Sequence, residues 1–237
     1  MCGIAGLLDF SGRPVDMAEL EAFTQLLSHR GPDGSGFHVD GALGLGHRRL
    51  AIIDLEGGRQ PLANEDGSVW TVFNGEIYNH PQLRTELEAR GHVFRTHSDT
   101  EVIVHAFEQW GVEFLHHLRG MFSLAVWDAR QRQLLLARDR LGIKPLCYSI
   151  HGRRLAFASE LQAFRALEGL DPSLDLQAID LYLHLNYIPH PWTAWQEVRK
   201  LPPAHYIVFN EQGASTGPQR YWQLRYEPDR HLNQDQW

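Results

Sequence analysis

Met1-Cys2-Gly3-Ile4-Ala5-Gly6-Leu7-Leu8-Asp9 opens the chain. Residues 3 to 9 read as a short strand, apolar or small throughout until Asp9 ends it. The same stretch does not have the form of a secretory leader, because no basic region precedes its apolar run. Cys2 is its most informative residue. A small residue after Met1 permits methionine removal, which leaves a thiol and a free α-amine on one residue. An α-amine ordinarily titrates at about 7.7–8.0 and a cysteine thiol at about 8.5, so an N-terminal cysteine can carry a neutral amine able to take its thiol proton. A second reading of Cys2 also stands, that of a small buried hydrophobe.

Outward from this strand, Asp16 and Glu19 form a capping-box pattern ahead of Leu20, Phe23 and Leu27 at helical spacing, with a stop near Gly31-Pro32. Leu50 to Asp54 reads as a strand or strand edge, and Trp70 to Phe73 as a strand running into Asn74-Gly75. Helices are expected from Asn79, with Pro81 in the first turn and Gly91 after the end, and from Ser98, with Glu101 completing a second box and Gly111 closing it. Strands follow at 121–127, 134–137, 146–150 and 155–158, then a helix at 176–185 and a strand at 207–209. Connections between these strands are too short for parallel crossovers, so the pairing is antiparallel. Layered antiparallel sheets with helices outside are the expected architecture.

At 237 residues the chain is roughly 1.6 domains long. It is 43% hydrophobic and 22% charged, which excludes disorder, collagen and coiled coil as the main architecture. A net charge of −7 gives no general attraction to nucleic acid or an anionic membrane. No apolar run approaches the roughly 20 residues that span a bilayer. Two cysteines make neither a disulfide framework nor a zinc pattern, and the 14 histidines show no ligand spacing, so no metal is expected. A cytoplasmic location is the expectation.

Other residues carry suitable chemistry with a plainer reading beside it. The Asn74 carboxamide and a neighbouring backbone N–H could form an oxyanion hole, with Gly75 admitting close approach of a substrate; alone, Asn-Gly reads as a turn. Arg49 could hold a carboxylate and Asp99 an ammonium, the two ends of an α-amino acid; alone they read as a surface pair and a helix N-terminal acid. His29 to Gly34 reads as a helix stop and turn, and Cys147 as core.

These motifs occur together and in order: Met1 to Gly6, His29 to Gly34, Gly46-His47-Arg48-Arg49-Leu50-Ala51-Ile52-Ile53-Asp54, Asn74 to Asn79, Ser98 to Glu101, Gly120 to Phe122 and Arg138 to Leu146. The set closely resembles the glutaminase domain (class II glutamine amidotransferase) of glutamine-hydrolysing asparagine synthetases, over residues 1 to about 222. Arg-Arg-Leu-Ala-Ile-Ile-Asp after His47 is similar to that branch rather than to the sugar-phosphate and purine branches. Residues 198–203 with 220–222 also look like the end of that family's glutaminase half.

The resemblance implies an α+β N-terminal nucleophile (Ntn) hydrolase, an αββα sandwich of two antiparallel sheets between helical layers. It implies a domain at 1–222 and a linker at 223–237 toward an absent synthetase domain. Cys2 is implied as the nucleophile on L-glutamine, Asn74 and Gly75 as oxyanion donors, and Arg49 as the carboxylate clamp with Leu50, Ala51, Ile52 and Ile53 lining its pocket. Glu76 and Asp99 are implied at the ammonium end. No cofactor is expected in this chain; ATP and Mg belong to a synthetase domain, whose SGGxDS loop is missing here. The expected partners are L-glutamine and a synthetase domain or subunit, a homodimer being allowed. A non-catalytic glutamine-binding or scaffolding module is the rival, and an Ntn hydrolase acting on another amide is a third reading.

Overall fold

Every residue of β1 (Gly3–Asp9) is buried. Only a strand with neighbours on both edges and layers on both faces can be so covered. The computed structural model describes residues 1–51, 54 and 57–226. After β1 come α1 (Met17–Gln25), β2 (Gly34–Asp40), β3 (Leu43–Arg49), β4 (Leu62–Ala63), β5 (Val69–Ile77), α2 (His80–Ala89), α3 (Glu101–Trp110) and α4 (Phe114–His117). Then follow β6 (Gly120–Asp128), β7 (Gln133–Arg138), β8 (Cys147–His151), β9 (Arg154–Ala158), α5 (Leu176–Leu185), β10 (Arg199–Lys200), β11 (His205–Asn210) and β12 (Gln219–Arg220).

The strands form two sheets, ordered β10-β8-β9-β1-β3-β2 and β12-β11-β7-β6-β5-β4. Their pairs are antiparallel, as the short connections require. Ile4 and Leu8 of β1 meet Val72, Ala125, Trp127, Leu134 and Leu136 of the second sheet in a central apolar layer. Ala5 and Leu7, on the other face, pack with Leu20, Phe23 and Leu27 of α1 and its following turn. The outer face of the second sheet, Phe73, Ile77, Phe122 and Leu124 among others, packs with Leu83 and Leu87 of α2 and with Val102, Ile103 and Ala106 of α3. Alternation along each strand therefore builds helix, sheet, sheet, helix: the expected α+β sandwich.

The local departures have physical causes. Asp16 caps α1 by accepting from Ala18 N at 2.9 Å, but Glu19 does not close the box. It takes a bidentate ion pair with Arg154 instead, at 2.6 and 2.5 Å. The helix ends at Gln25, well short of Gly31. The α3 box is not formed either: helix begins at Glu101, whose carboxylate reaches back past Ser98 to the Arg95 and Thr96 amides, each at 2.7 Å. Leu50 and Ala51 lie outside any strand, since β3 has already ended at Arg49. Asn74-Gly75 is no turn but the middle of β5, paired with Ser123 and Phe122.

The β2–β3 hairpin went unread because glycines depress its strand character. Those glycines are steric requirements. A Cβ on Gly46 would stand 2.1 Å from Thr24 Oγ1, and one on Gly36 would stand 2.0 Å from the Gln60 carbonyl oxygen. They let α1 and the 57–61 segment lie directly on the sheet.

Candidate active site

Cys2 immediately precedes the strand at the centre of its sheet. Its carbonyl oxygen accepts from Arg30 Nε at 2.9 Å, and Arg30 is itself held by Glu160 at 2.5 Å. Two residues on, Ile4 N donates to Ser159 Oγ at 3.0 Å and Ile4 O accepts from Ser159 N at 2.9 Å. Arg30, in the segment read as a helix stop and turn, His29 to Gly34, thus holds the backbone of Cys2. The same segment also braces the neighbouring loop: Asp33 N donates to Arg49 O at 3.0 Å, and Asp33 Oδ2 accepts from Ala51 N at 2.8 Å. The Cys2 Sγ is set against Leu50, 3.4 Å from its N and 3.7 Å from its O.

The thiol borders a cavity of about 170 Å³, far above the ~10–15 Å³ that admits one water. Arg49, Leu50, Asn74, Gly75, Glu76 and Asp99 line the same space. Seven of the residues named from the sequence therefore converge. Ala51 does not: it lines an adjacent cavity with His47 and Arg59, because its amide is turned to Asp33. Arg49 and Gln60 border both cavities. Ile52 and Ile53 lie outside the described residues.

Asn74 is 1% exposed, and its side-chain nitrogen Nδ2 is shielded from solvent without a hydrogen-bond partner. Native structures pair such groups, so an orphaned donor beside a cavity and a thiol points to a ligand acceptor. Gly75 has a different reason for lacking a side chain from the one expected. A Cβ there would stand 2.1 Å from the Met121 carbonyl oxygen of β6, so the close approach is that of the next strand.

Asp99 is 5% exposed and accepts from Ile77 N at 2.9 Å through Oδ2. Burial raises its carboxyl above the ordinary carboxylate range, and Glu76 adds to this, outweighing the Ile77 amide and His80. A buried carboxylate so disfavoured would be relieved by a cation in the cavity. Arg49 also donates to the Asp54 carbonyl at 2.5 Å. His47, behind it, is pushed down to about 3, chiefly by burial, and is a neutral imidazole at ordinary pH. Cys147 is buried core as expected, its thiol pushed up to about 11 by burial.

Sequence reasoning missed several wall residues. Gln60 donates to Thr100 Oγ1 at 3.2 Å and accepts from Phe73 N at 2.6 Å, so it joins the loop, α3 and β5. Met1 and Lys144 also border the cavity, with Lys144 Nζ 3.1 Å from Met1 Sδ. Lys144 is delivered by a tight turn whose 141, 143 and 144 amides all bond to the Asp139 carboxylate. Met1 and Lys144 fall within motifs quoted from the sequence, but nothing in residue type or spacing assigned them or Gln60 to a cavity wall.

Residues 1–222 match the family described as glutamine amidotransferase domain. Glutamine-hydrolyzing asparagine synthetase 3 of Bacillus subtilis is 38% identical over 231 residues, covering 96% of this chain and 37% of that protein. Glutamine-hydrolyzing asparagine synthetase 1 of the same organism is 38% identical over 233 residues, covering 96% and 36%. Among solved structures, glutamine phosphoribosylpyrophosphate amidotransferase from B. subtilis, complexed with ADP and GMP, superposes with a TM-score of 0.67 at 21% identity, covering 94% of this chain and 50% of that one. That likeness establishes the shared fold. The chain belongs to the class II glutamine amidotransferase domains of Ntn fold, and is homologous to the glutaminase half of the asparagine synthetases. It spans little more than a third of the length of these curated relatives.

Proposed function

We propose that this domain hydrolyses L-glutamine to glutamate and ammonia, with Cys2 at a processed N-terminus as nucleophile. The supporting observation is that the Cys2 cavity also holds a buried amide nitrogen without a partner, on Asn74. The free α-amine takes the thiol proton, and Sγ attacks the side-chain carboxamide carbon. Asn74 Nδ2 and the Gly75 N–H receive the developing oxyanion. The C–N bond breaks as the ammonium of Cys2 returns its proton to the departing nitrogen, leaving ammonia and a thioester. Water then attacks the thioester carbon, giving its proton to the amine, and glutamate leaves as the thiol is restored. Arg49 holds the α-carboxylate while Asp99, with Glu76, holds the α-ammonium. No cofactor enters these steps; ATP and Mg serve the synthetase domain or subunit that would take the ammonia.

The expected outcome for Cys2→Ala is loss of glutamate release with folding and glutamine binding retained. Glutamate release at the wild-type rate would overturn the assignment, and binding without turnover by the wild-type chain would favour a scaffolding role. Retained Met1 turns the base amine into an amide, so mass spectrometry of active protein should find Cys2 first.

A further inference from the structure

Away from the cavity, His105 of α3 is fully buried, and neither ring nitrogen makes a hydrogen bond. Its Nδ1 faces Glu65 Oε2 at 3.7 Å and its Nε2 faces Glu101 Oε1 at 3.6 Å. Both distances are too long for a hydrogen bond. A protonated ring between two carboxylates would close to charge-assisted bonds of about 2.7–2.9 Å. Two ligands on one tetrahedral zinc, at bond lengths near 2.0–2.2 Å, stand roughly 3.4 Å apart. The His105–Glu65 separation is close to that second spacing. The His92 ring lies beside it, 5.2 Å between centroids, and one ligand atom from each of Glu65, His92 and His105 falls within 4.8 Å of the others.

We infer that Glu65, His92 and His105 bind one zinc-like divalent cation. Two imidazoles and a carboxylate are a zinc donor set, with the fourth position open to water. Each ligand has a polar neighbour that bears on its orientation. Glu101 is fixed by Arg95 N, Thr96 N and the Thr96 hydroxyl at 2.6–2.7 Å, and it faces Nε2. A proton on Nε2 leaves the Nδ1 lone pair toward Glu65. Glu65 Oε1 accepts from Val93 N at 2.9 Å, which directs Oε2 at the histidine. His92 Nε2 lies 3.3 Å from Gln109 Oε1. These ligands come from the turn after β4, the α2–α3 connection and α3, so spacing along the chain could not register them. Bound there, the ion would clip three segments together beside Glu101, which directly follows the Ser98–Thr100 wall of the Cys2 cavity.

The test is equilibrium dialysis of the metal-stripped full chain against micromolar zinc, followed by metal analysis and thermal melting. The expected result is one zinc per chain and a melting midpoint that rises with zinc. Glu65→Gln and His92→Gln, both at partly exposed positions, should each keep the fold by circular dichroism and weaken binding at least tenfold. Cys2→Ala should bind as the wild type does. Folded wild-type chain that retains no zinc would overturn the inference. So would undiminished binding by Glu65→Gln and His92→Gln, or binding lost in Cys2→Ala.

Discussion

Asn74 and Asp99 carry opposite needs into one cavity, an unpaired donor and a buried acid, and each gives a separable test. Replacing Asn74 by Ala should lower kcat by roughly 10²–10³ with a smaller change in KM, the usual loss for one oxyanion donor. Steady-state kinetics on glutamine checks it. For Asp99→Asn the loss should fall on KM, about 10–100-fold, as expected for a charge-assisted bond to the substrate ammonium. Stability should move the other way. The folded carboxyl sits above its ordinary value of 3.8 through burial. Its ionisation therefore costs stability as pH rises through the folded value, and the neutral Asn should melt no lower than the wild type at pH 7. Thiol chemistry separates the two cysteines: iodoacetamide should modify Cys2 and spare the buried Cys147, and glutamine should protect Cys2. At this scale the sequence singled out Cys2, Arg49 and Asp99 by the chemistry of their residue types, though each alone allowed a plainer reading, and all three line one cavity. Gln60, Arg30 and Lys144 were not legible, because their roles arise only from where the fold carries them.

Elements were legible where apolar alternation is clean, as in β6 and β7, and obscure where packing demands glycine. The β2–β3 hairpin carries Asp40-Gly41 at its turn, with Gly41 at φ 58°, a usable signal that the glycines around it masked. Gly46 gives the element-scale prediction. Gly46→Val would drive a side chain into Thr24 of α1, so it should lower the melting midpoint strongly, an overpacking cost of about 1–3 kcal/mol or more. His47, next along β3, contributes to the acid response. Its folded value near 3 lies below the ordinary 6.5, chiefly through burial, opposed by a bond involving the Phe73 backbone. Between those values the unfolded chain takes a proton that the folded chain refuses, so stability falls as pH drops from about 6.5 toward 3. Melting curves across that range should be flatter for His47→Gln.

On the scale of the whole molecule, antiparallel pairing was readable from the short connections, but the order of strands was not. Nothing local says that the first strand of the chain belongs at the heart of a sheet, between β3 and β9. Chain starts ordinarily fray; this one is bonded on both edges and covered on both faces. Amide exchange at Ile4 to Leu8 should accordingly be among the slowest in the domain, which mass spectrometry of deuterated fragments can check. Met1, over half exposed, stands where that buried strand meets the cavity. An affinity tag or fusion partner left upstream would continue from this point. On the proposed mechanism such a protein should fold and melt like the trimmed chain while releasing no ammonia, an outcome that a glutaminase assay before and after cutting back to residue 2 checks.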